Sequence, residues 1–360
     1  MKNIIKTLIV MFSSISLFAS ANAGELSVSG TAKATYNILS GNSNAGKGLG
    51  ITNELNFTAA GELDNGYTWS YSMELDPNAV SASTTASTAA DAENDDTKLT
   101  LSTPYGTVGV FISEGGLDVE DAASQSVYAR PTDIGDPSGT SDNFTIDSYN
   151  NVQYHTPADL LPFGTSFKIA YATNTADISA GSSGDNAGGV TTGAVDQAGA
   201  TATEMQVKAT PIDGLTVGTS YFQFGGDQGM AKNDQEAESG AYYATYATGP
   251  FSIGFSEAFK APLLRDNADG TSTTTVEDYR QQNYSIAFAA SDDLSVSYER
   301  ETSEVNKLDD TTVEQESSAV QLAYTMGGMT IAVSHASHDN NSYVTGANVD
   351  QTLLAVTMAF

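Results

Sequence analysis

The chain has 360 residues, no cysteine and a formal net charge of −30, with 14 Lys and Arg against 44 Asp and Glu. A phosphate-binding face needs bases, so this balance argues against nucleic acid as a partner, and without cysteine neither disulfides nor thiolate metal sites can stabilise the fold. Charged residues are only 16% of the sequence and gather in Gly, Ser, Thr, Asn and Asp-rich segments, as solvated acidic loops do.

Residues 1–23 carry Lys2 and Lys6, an apolar stretch from Thr7 to Phe18, and Ala21-Asn22-Ala23 ahead of Gly24, which reads as a cleaved secretory signal peptide. No later window approaches the ~20 apolar residues of a spanning helix. If residues 24–360 form a membrane domain, they must cross as strands.

From Glu25 onward the dominant pattern is alternation with period two, the mark of strands with two different faces. The first predicted strand runs to about Ile38, with Leu26, Val28, Ala32, Ala34 and Tyr36 opposite Ser27, Ser29, Thr31, Lys33 and Thr35. Leu55, Phe57, Ala59, Gly61 and Leu63 mark the second, and Tyr67, Trp69, Tyr71, Met73 and Leu75 the third. Asp64-Asn65-Gly66 joins these two as a tight hairpin. Further strands are expected near 97–102, 107–113, 149–156, 165–173, 203–210, 215–224, 241–248, 251–260, 279–290, 294–301, 317–326 and 329–336. The last runs from about Asp350 to Phe360, making sixteen, and in the strand near 215 Phe222 and Phe224 break the parity set by Leu215, Val217 and Tyr221.

The connections alternate between short and long. Short ones fall at Asp64-Asn65-Gly66, Thr103 to Gly106, Pro157 to Gly164, Pro211 to Gly214, Thr248 to Pro250, Ser291 to Asp293 and Met326 to Gly328. Long ones fall near 39–52, 76–96, 113–148, 173–203, 225–240, 261–278, 301–316 and 336–349. Such segregation predicts an all-β, transmembrane, antiparallel up-and-down barrel in the outer membrane, with short periplasmic turns, long extracellular loops and both termini on the short-turn side. The charged exceptions on the apolar parity, Glu257, Arg280 and Arg300, lie towards long-loop ends, while Lys33, Lys98, Lys168, Lys208 and Lys260 fall on the polar parity as a basic pore wall. Tyr36, Tyr67, Tyr171, Tyr221, Tyr284, Tyr298 and Tyr324 suit interfacial belts.

Motifs for chemistry are weak. His155, His335 and His338 are too scattered for a hydrolase or a zinc site, and Gly46, Gly48 and Gly50 sit in a polar connection with no helix after them to cradle a nucleotide. Neither an enzyme activity nor a cofactor is expected. Acid-rich runs at 91–96, 133–142 and 309–316 offer oxygen ligands but lack EF-hand spacing, and segments 81–92 and 180–203 are low complexity. The third long loop, Ser113 to Ser148, carries Glu114, Asp118, Glu120, Asp121, Asp133, Asp136, Asp142 and Asp147 against Arg130 alone. Folded into a lumen opposite the lysines, it would set a transverse field across a narrow eyelet; the alternative is a loop extending outward like the others.

The signal peptide, the sixteen alternating strands, the long third loop and the terminal Phe360 together resemble the Gram-negative general porins, over the whole of residues 24–360. The local likeness is most specific at Tyr149 to Tyr171, where YNNVQYHTP and GTSFKIAYA are similar to that family's sixth and seventh strands. The resemblance implies a homotrimer in the outer membrane, in contact with its lipid and lipopolysaccharide, that passes small hydrophilic solutes and ions. It implies that the third loop is the constriction, with Glu114, Asp118, Glu120 and Asp121 on its acidic side and Lys33 and Lys98 on the basic wall. Phe360 would be the signal read by the barrel assembly machinery. The sequence departs from the family in lacking a proline-glutamate-phenylalanine-glycine-glycine segment in the third loop and a dense arginine cluster. A barrel serving adhesion or phage attachment is the competing reading, and conduction separates the two.

Overall fold

Alternating side chains give each strand one apolar and one polar face, and a chain made of such strands can bury every backbone hydrogen bond only by closing on itself. A computed structural model, which describes residues 25–43, 45–77, 92–134, 142–157, 160–173, 201–225, 233–265 and 276–360, has this form. In chain order the strands are β1 (Glu25–Gly41), β2 (Gly46–Glu62), β3 (Thr68–Pro77), β4 (Ala92–Thr103), β5 (Gly106–Ile112) and β6 (Asn151–His155). Next come β7 (Ser166–Ala172), β8 (Thr201–Ile212), β9 (Leu215–Gly225), β10 (Asn233–Gln235), β11 (Glu238–Thr248) and β12 (Phe251–Ala261). The last are β13 (Leu264–Arg265), β14 (Val276–Ala289), β15 (Leu294–Lys307), β16 (Thr312–Met326), β17 (Met329–Asp339) and β18 (Val349–Ala359).

Sixteen of these form one closed antiparallel barrel, and β10 and β13 pair separately as a small two-stranded ribbon that the sequence pattern does not announce. β1 closes the ring on β18 from Thr31–Ala359 to Gly41–Val349. Gly30 and Phe360 exchange backbone hydrogen bonds of 2.9 and 3.0 Å at the end of this seam, so both termini of the barrel lie at the short-turn end. At Gly66, φ is +80°, the left-handed value that the Asp-Asn-Gly turn requires.

The outward face is apolar. Val28, Phe251, Ile253, Tyr284, Ile286, Tyr298, Leu322, Leu354 and Met358 are all exposed there, as lipid contact requires. Tyr221 and Tyr242 bond through their hydroxyls to Glu238 and Glu257, and Arg300 holds Glu316 at 2.7 Å, so these carboxylates on the outward face each have a partner.

Two of the expected long loops are mostly strand. β1 and β2 are separated only by residues 42–45, and β15 and β16 only by residues 308–311, where loops over 39–52 and 301–316 were expected. Beyond the bilayer both faces of a strand meet water, so the ladder continues while the apolar alternation that reveals it stops. Likewise β8 already begins at Thr201, inside the low-complexity segment, and β4 at Ala92. The expected signal peptide, the rest of the two low-complexity segments and Asp136 lie outside the described residues.

Candidate functional site: the lumen and its third loop

After β5 the chain turns through Ser113 (φ +52°) and Gly115 (φ +84°) and enters the barrel. The loop then follows the inner wall from β8 round to β18. Its backbone has no ladder to pair with, so lumen-facing side chains supply the partners. Glu204 on β8 accepts the Leu117 and Ile146 amides at 3.2 and 2.9 Å, and Ser220 on β9 accepts that of Val119 at 3.1 Å. Ser256 on β12 and Ser285 on β14 donate to the carbonyls of Glu120 and Ala123, each at 2.6 Å. Ser297 on β15 accepts from Val127 (3.0 Å), while Gln321 on β16 accepts from Tyr128 (3.0 Å) and donates to Ala129 O (2.5 Å). On the return arm Ser239 on β11 accepts from Phe144 at 3.1 Å.

Between these bonds the loop packs on small side chains. Ile134 is buried against Ala319, Ala323, Ala332, Ala336, Leu353 and Ala355, and Val119 and Ala123 against Ala241, Tyr243 and Ala258. Leu117 and Ile146 are buried against Ala170, Ala172, Ala202 and Phe222. Burial of an aliphatic side chain of this size is worth about 1.5–3 kcal/mol, so these anchors compete with the entropy of ordering the loop. At Gly254 the loop comes so close that a Cβ would overlap the Ala123 carbonyl oxygen and lie 2.7 Å from Ser285 Oγ. Phe222 and Phe224, the residues that break the strand's parity, face inward and stack with Phe144 at ring separations of 5.7 and 5.2 Å.

A charged knot fixes the far end. Arg130, itself buried, pairs with Asp121, with Asp133 at 3.0 Å, with Glu301 on β15 at 3.3 Å and with Asp142 at 4.0 Å. Glu301 also accepts from Thr132 N and Oγ1 at 3.1 and 2.8 Å, and its neighbour Glu299 accepts from Ser124 and Ser126 at 2.6 and 2.5 Å. Burial, reinforced by Asp118 and Asp121, pushes the Glu120 carboxyl well above its usual range, although the Asn143 amide bonds to it. Desolvation inside the barrel pushes Asp121 up to about 7 although half its side chain stays open, against the pull of Arg130 and with the help of Asp133, Glu301 and Asp142.

A family profile described as Gram-negative porin matches residues 7–289, more than three quarters of the chain. The chain belongs to the Gram-negative porin family. No curated protein sequence matches it. Among solved structures it is similar to a porin refined at 1.8 Å (17% identity, TM-score 0.62, 93% of this chain and all of that one). It is also similar to Salmonella typhi OmpF in complex with daunomycin (13% identity, TM-score 0.64, 94% and 98% covered). The trimer form of Vibrio cholerae OmpT is a third such likeness (12% identity, TM-score 0.60, 94% and 100% covered). At these identities the likeness is one of fold, and the family places this porin in the outer membrane as a channel.

The porin's loop acids do not form one row facing the channel. Glu114 chelates Lys98 of β4 at the loop's root, at 2.8 and 2.9 Å. Asp118 turns towards the wall and accepts from Ser220 Oγ (2.9 Å) and Asn143 Nδ2 (3.1 Å), and Glu120 is buried beneath it. Asp121 and Asp133 keep about half their side-chain surface open, at 52% and 51%, so these two reach the channel water while holding Arg130. The lysines are dispersed as well. Lys33 of β1 stands 5.9 Å from the Tyr128 ring, and Lys260 of β12 donates to Asp142 O at 2.6 Å and stacks 4.6 Å from the Phe144 ring. Lys168 and Lys208 sit on β7 and β8, closer to the short turns than the loop is. Lumen-facing Glu204, Glu299 and Glu301 hold the loop and were not singled out from the sequence. Mid-strand carboxylates on the polar parity were the signal available for them.

Proposed function

We propose that this porin is a passive, water-filled diffusion channel for small hydrophilic solutes and ions, with a weak preference for cations. The observation that carries the reading is the charge laid across the lumen: the described loop residues hold Glu114, Asp118, Glu120, Asp121, Asp133, Asp142 and Asp147 against Arg130. Glu114 and Lys98 neutralise each other, and Arg130 is shared among several carboxylates, so the half-open Asp121 and Asp133 leave the balance negative. Preference is weak because Glu120 and Asp121 hold their protons more tightly than ordinary carboxyls. Outer-rim acids count for little, since the Debye length is about 8 Å at physiological salt. Residues 1–23 would direct export, Phe360 would be read by the barrel assembly machinery, and the mature chain would stand as a homotrimer among lipid and lipopolysaccharide. Catalysis has no part in this reading.

The test is the zero-current potential of the reconstituted channel in a KCl gradient. Wild type should favour potassium, and amides at Glu114, Asp118, Glu120 and Asp121 should move the potential towards chloride. The same exchange at Asp91, Asp95 and Asp96 should barely move it. A chloride-preferring wild type, or equal shifts from both sets, overturns the assignment.

A further inference from the structure

On β6, β7 and β8 the lumen-facing rows repeat one arrangement: a residue that holds the third loop, then a base two positions nearer the short turns. Gln153 donates to Gly115 O at 2.5 Å, Ala170 is buried against the loop with Leu117, and Gln206 donates to Leu117 O at 2.9 Å. Two positions on stand His155, Lys168 and Lys208. Register sets His155 opposite Lys168 and Lys168 opposite Gln206, so Lys208 is the diagonal neighbour of Lys168 on the same face.

The surroundings of these bases are neutral. Thr107 is opposite His155, and Ser166 and Gly218 flank Lys208. The nearest carboxylate on these strands, Glu204, is fully buried and turned into the loop amides of Leu117 and Ile146. Among the described residues neither Lys168 nor Lys208 has a carboxylate partner, in a chain with 44 acids for 14 Lys and Arg. The other bases near the loop, Lys98, Arg130 and Lys260, are each engaged by it. His155 is oriented too: its Nε2 lies 2.7 Å from Gln153 Oε1, an atom that can only accept, so the proton is on Nε2.

Like charges side by side on one sheet face repel. A small oxyanion between them removes that repulsion and gains charge-assisted hydrogen bonds from both ammonium groups. We propose that Lys168 and Lys208 form a binding shelf for a small oxyanion such as phosphate on the short-turn side of the acidic loop. A solute meeting this channel from the short-turn end would reach an anion-attracting surface before the cation-attracting loop. The proposal rests on the lumen being open to water at that end.

Inorganic phosphate added to one side of a reconstituted channel in KCl, at constant ionic strength, tests the shelf. From the short-turn side phosphate should reduce the single-channel current saturably, with a half-effect concentration at least several-fold lower than from the loop side. Lys168→Gln with Lys208→Gln should abolish saturation, and the double arginine variant should keep it. A phosphate effect that is linear, equal from both sides, or unchanged in the double glutamine variant overturns the shelf. A channel that does not conduct KCl at all overturns the diffusion reading instead. The shelf is then decided by equilibrium binding of phosphate to the detergent-solubilised barrel, where wild type should bind saturably and the glutamine variant should not.

Discussion

Gly254→Ala isolates the docking of the third loop from the stability of the barrel. The added methyl would overlap the Ala123 carbonyl oxygen, and a carbon-oxygen pair needs about 3.3 Å, so the loop must retreat from β12 by roughly 1 Å or more. Retreat breaks the 2.6 Å bond from Ser285 Oγ to that carbonyl and strains the matching bond from Ser256 to Glu120 O. At about 1 kcal/mol for each bond, and somewhat more where an acceptor is left buried and unpaired, the local cost is about 2–3 kcal/mol. That is a roughly 30- to 150-fold shift between the docked and undocked states of the segment around Glu120–Ala123. Anchors at Glu204, Gln321 and Glu301 remain, so the loop should shift into the passage and not detach. The expected readout in a planar bilayer is a lower single-channel conductance with added flicker, at an unchanged thermal unfolding temperature. Gly48→Ala, where a Cβ meets nothing within 4 Å, is the control. Wild-type conductance and noise in Gly254→Ala would refute the close approach of loop and wall.

Selectivity should depend on pH above the ordinary carboxylate range. Loss of water around them pushes the Asp121 carboxyl up to about 7 and that of Glu120 well above its usual range, so the potassium-to-chloride permeability ratio should fall between pH 8 and pH 5; a ratio constant to pH 5 would sink this. The linked stability runs the same way: a raised acid binds its proton more tightly in the folded state, so these two groups favour docking increasingly as pH falls from about 7 towards the unfolded value. Hydrogen exchange of the loop amides should accordingly be slower at pH 5 than at pH 8, after correction for intrinsic rates. Arg130→Met leaves the buried Glu301 without its cation and should loosen the loop by about 3–5 kcal/mol, with part of that recovered on adding Glu301→Gln; additive effects in the same exchange measurement would contradict the pairing. Deleting Phe360 removes two seam bonds to Gly30, about 2 kcal/mol in all, so the isolated barrel should refold while outer-membrane levels drop. Normal membrane levels of the deletion variant would show that the terminal ring is not needed for assembly.

The barrel was legible in the sequence because a bilayer imposes period-two alternation wherever a strand crosses it, and residues such as Val28, Ile253 and Leu354 record that period. Legibility ended where the bilayer ends: the outer halves of β15 and β16 alternate in nothing that hydropathy can detect, and only backbone pairing defines them. The site was legible in composition and not in orientation. Glu114 through Asp121 read as one acidic stretch, yet a loop with no more than short 3-10 turns points successive side chains in different directions, here towards Lys98, the β9 wall, the buried interface and Arg130. The footprint of the loop was written in the strands instead. Alanines at 170, 202, 241, 258, 319, 332 and 336 occupy the face that should be polar if it met only water, and Phe222 and Phe224 break the same rule with larger rings. Apolar residues on a lumen face have no lipid to bury them, so each must be covered by chain from within. The third loop is the segment that covers them, which ties the apparent faults in the strand pattern to the loop that folds against the inner wall.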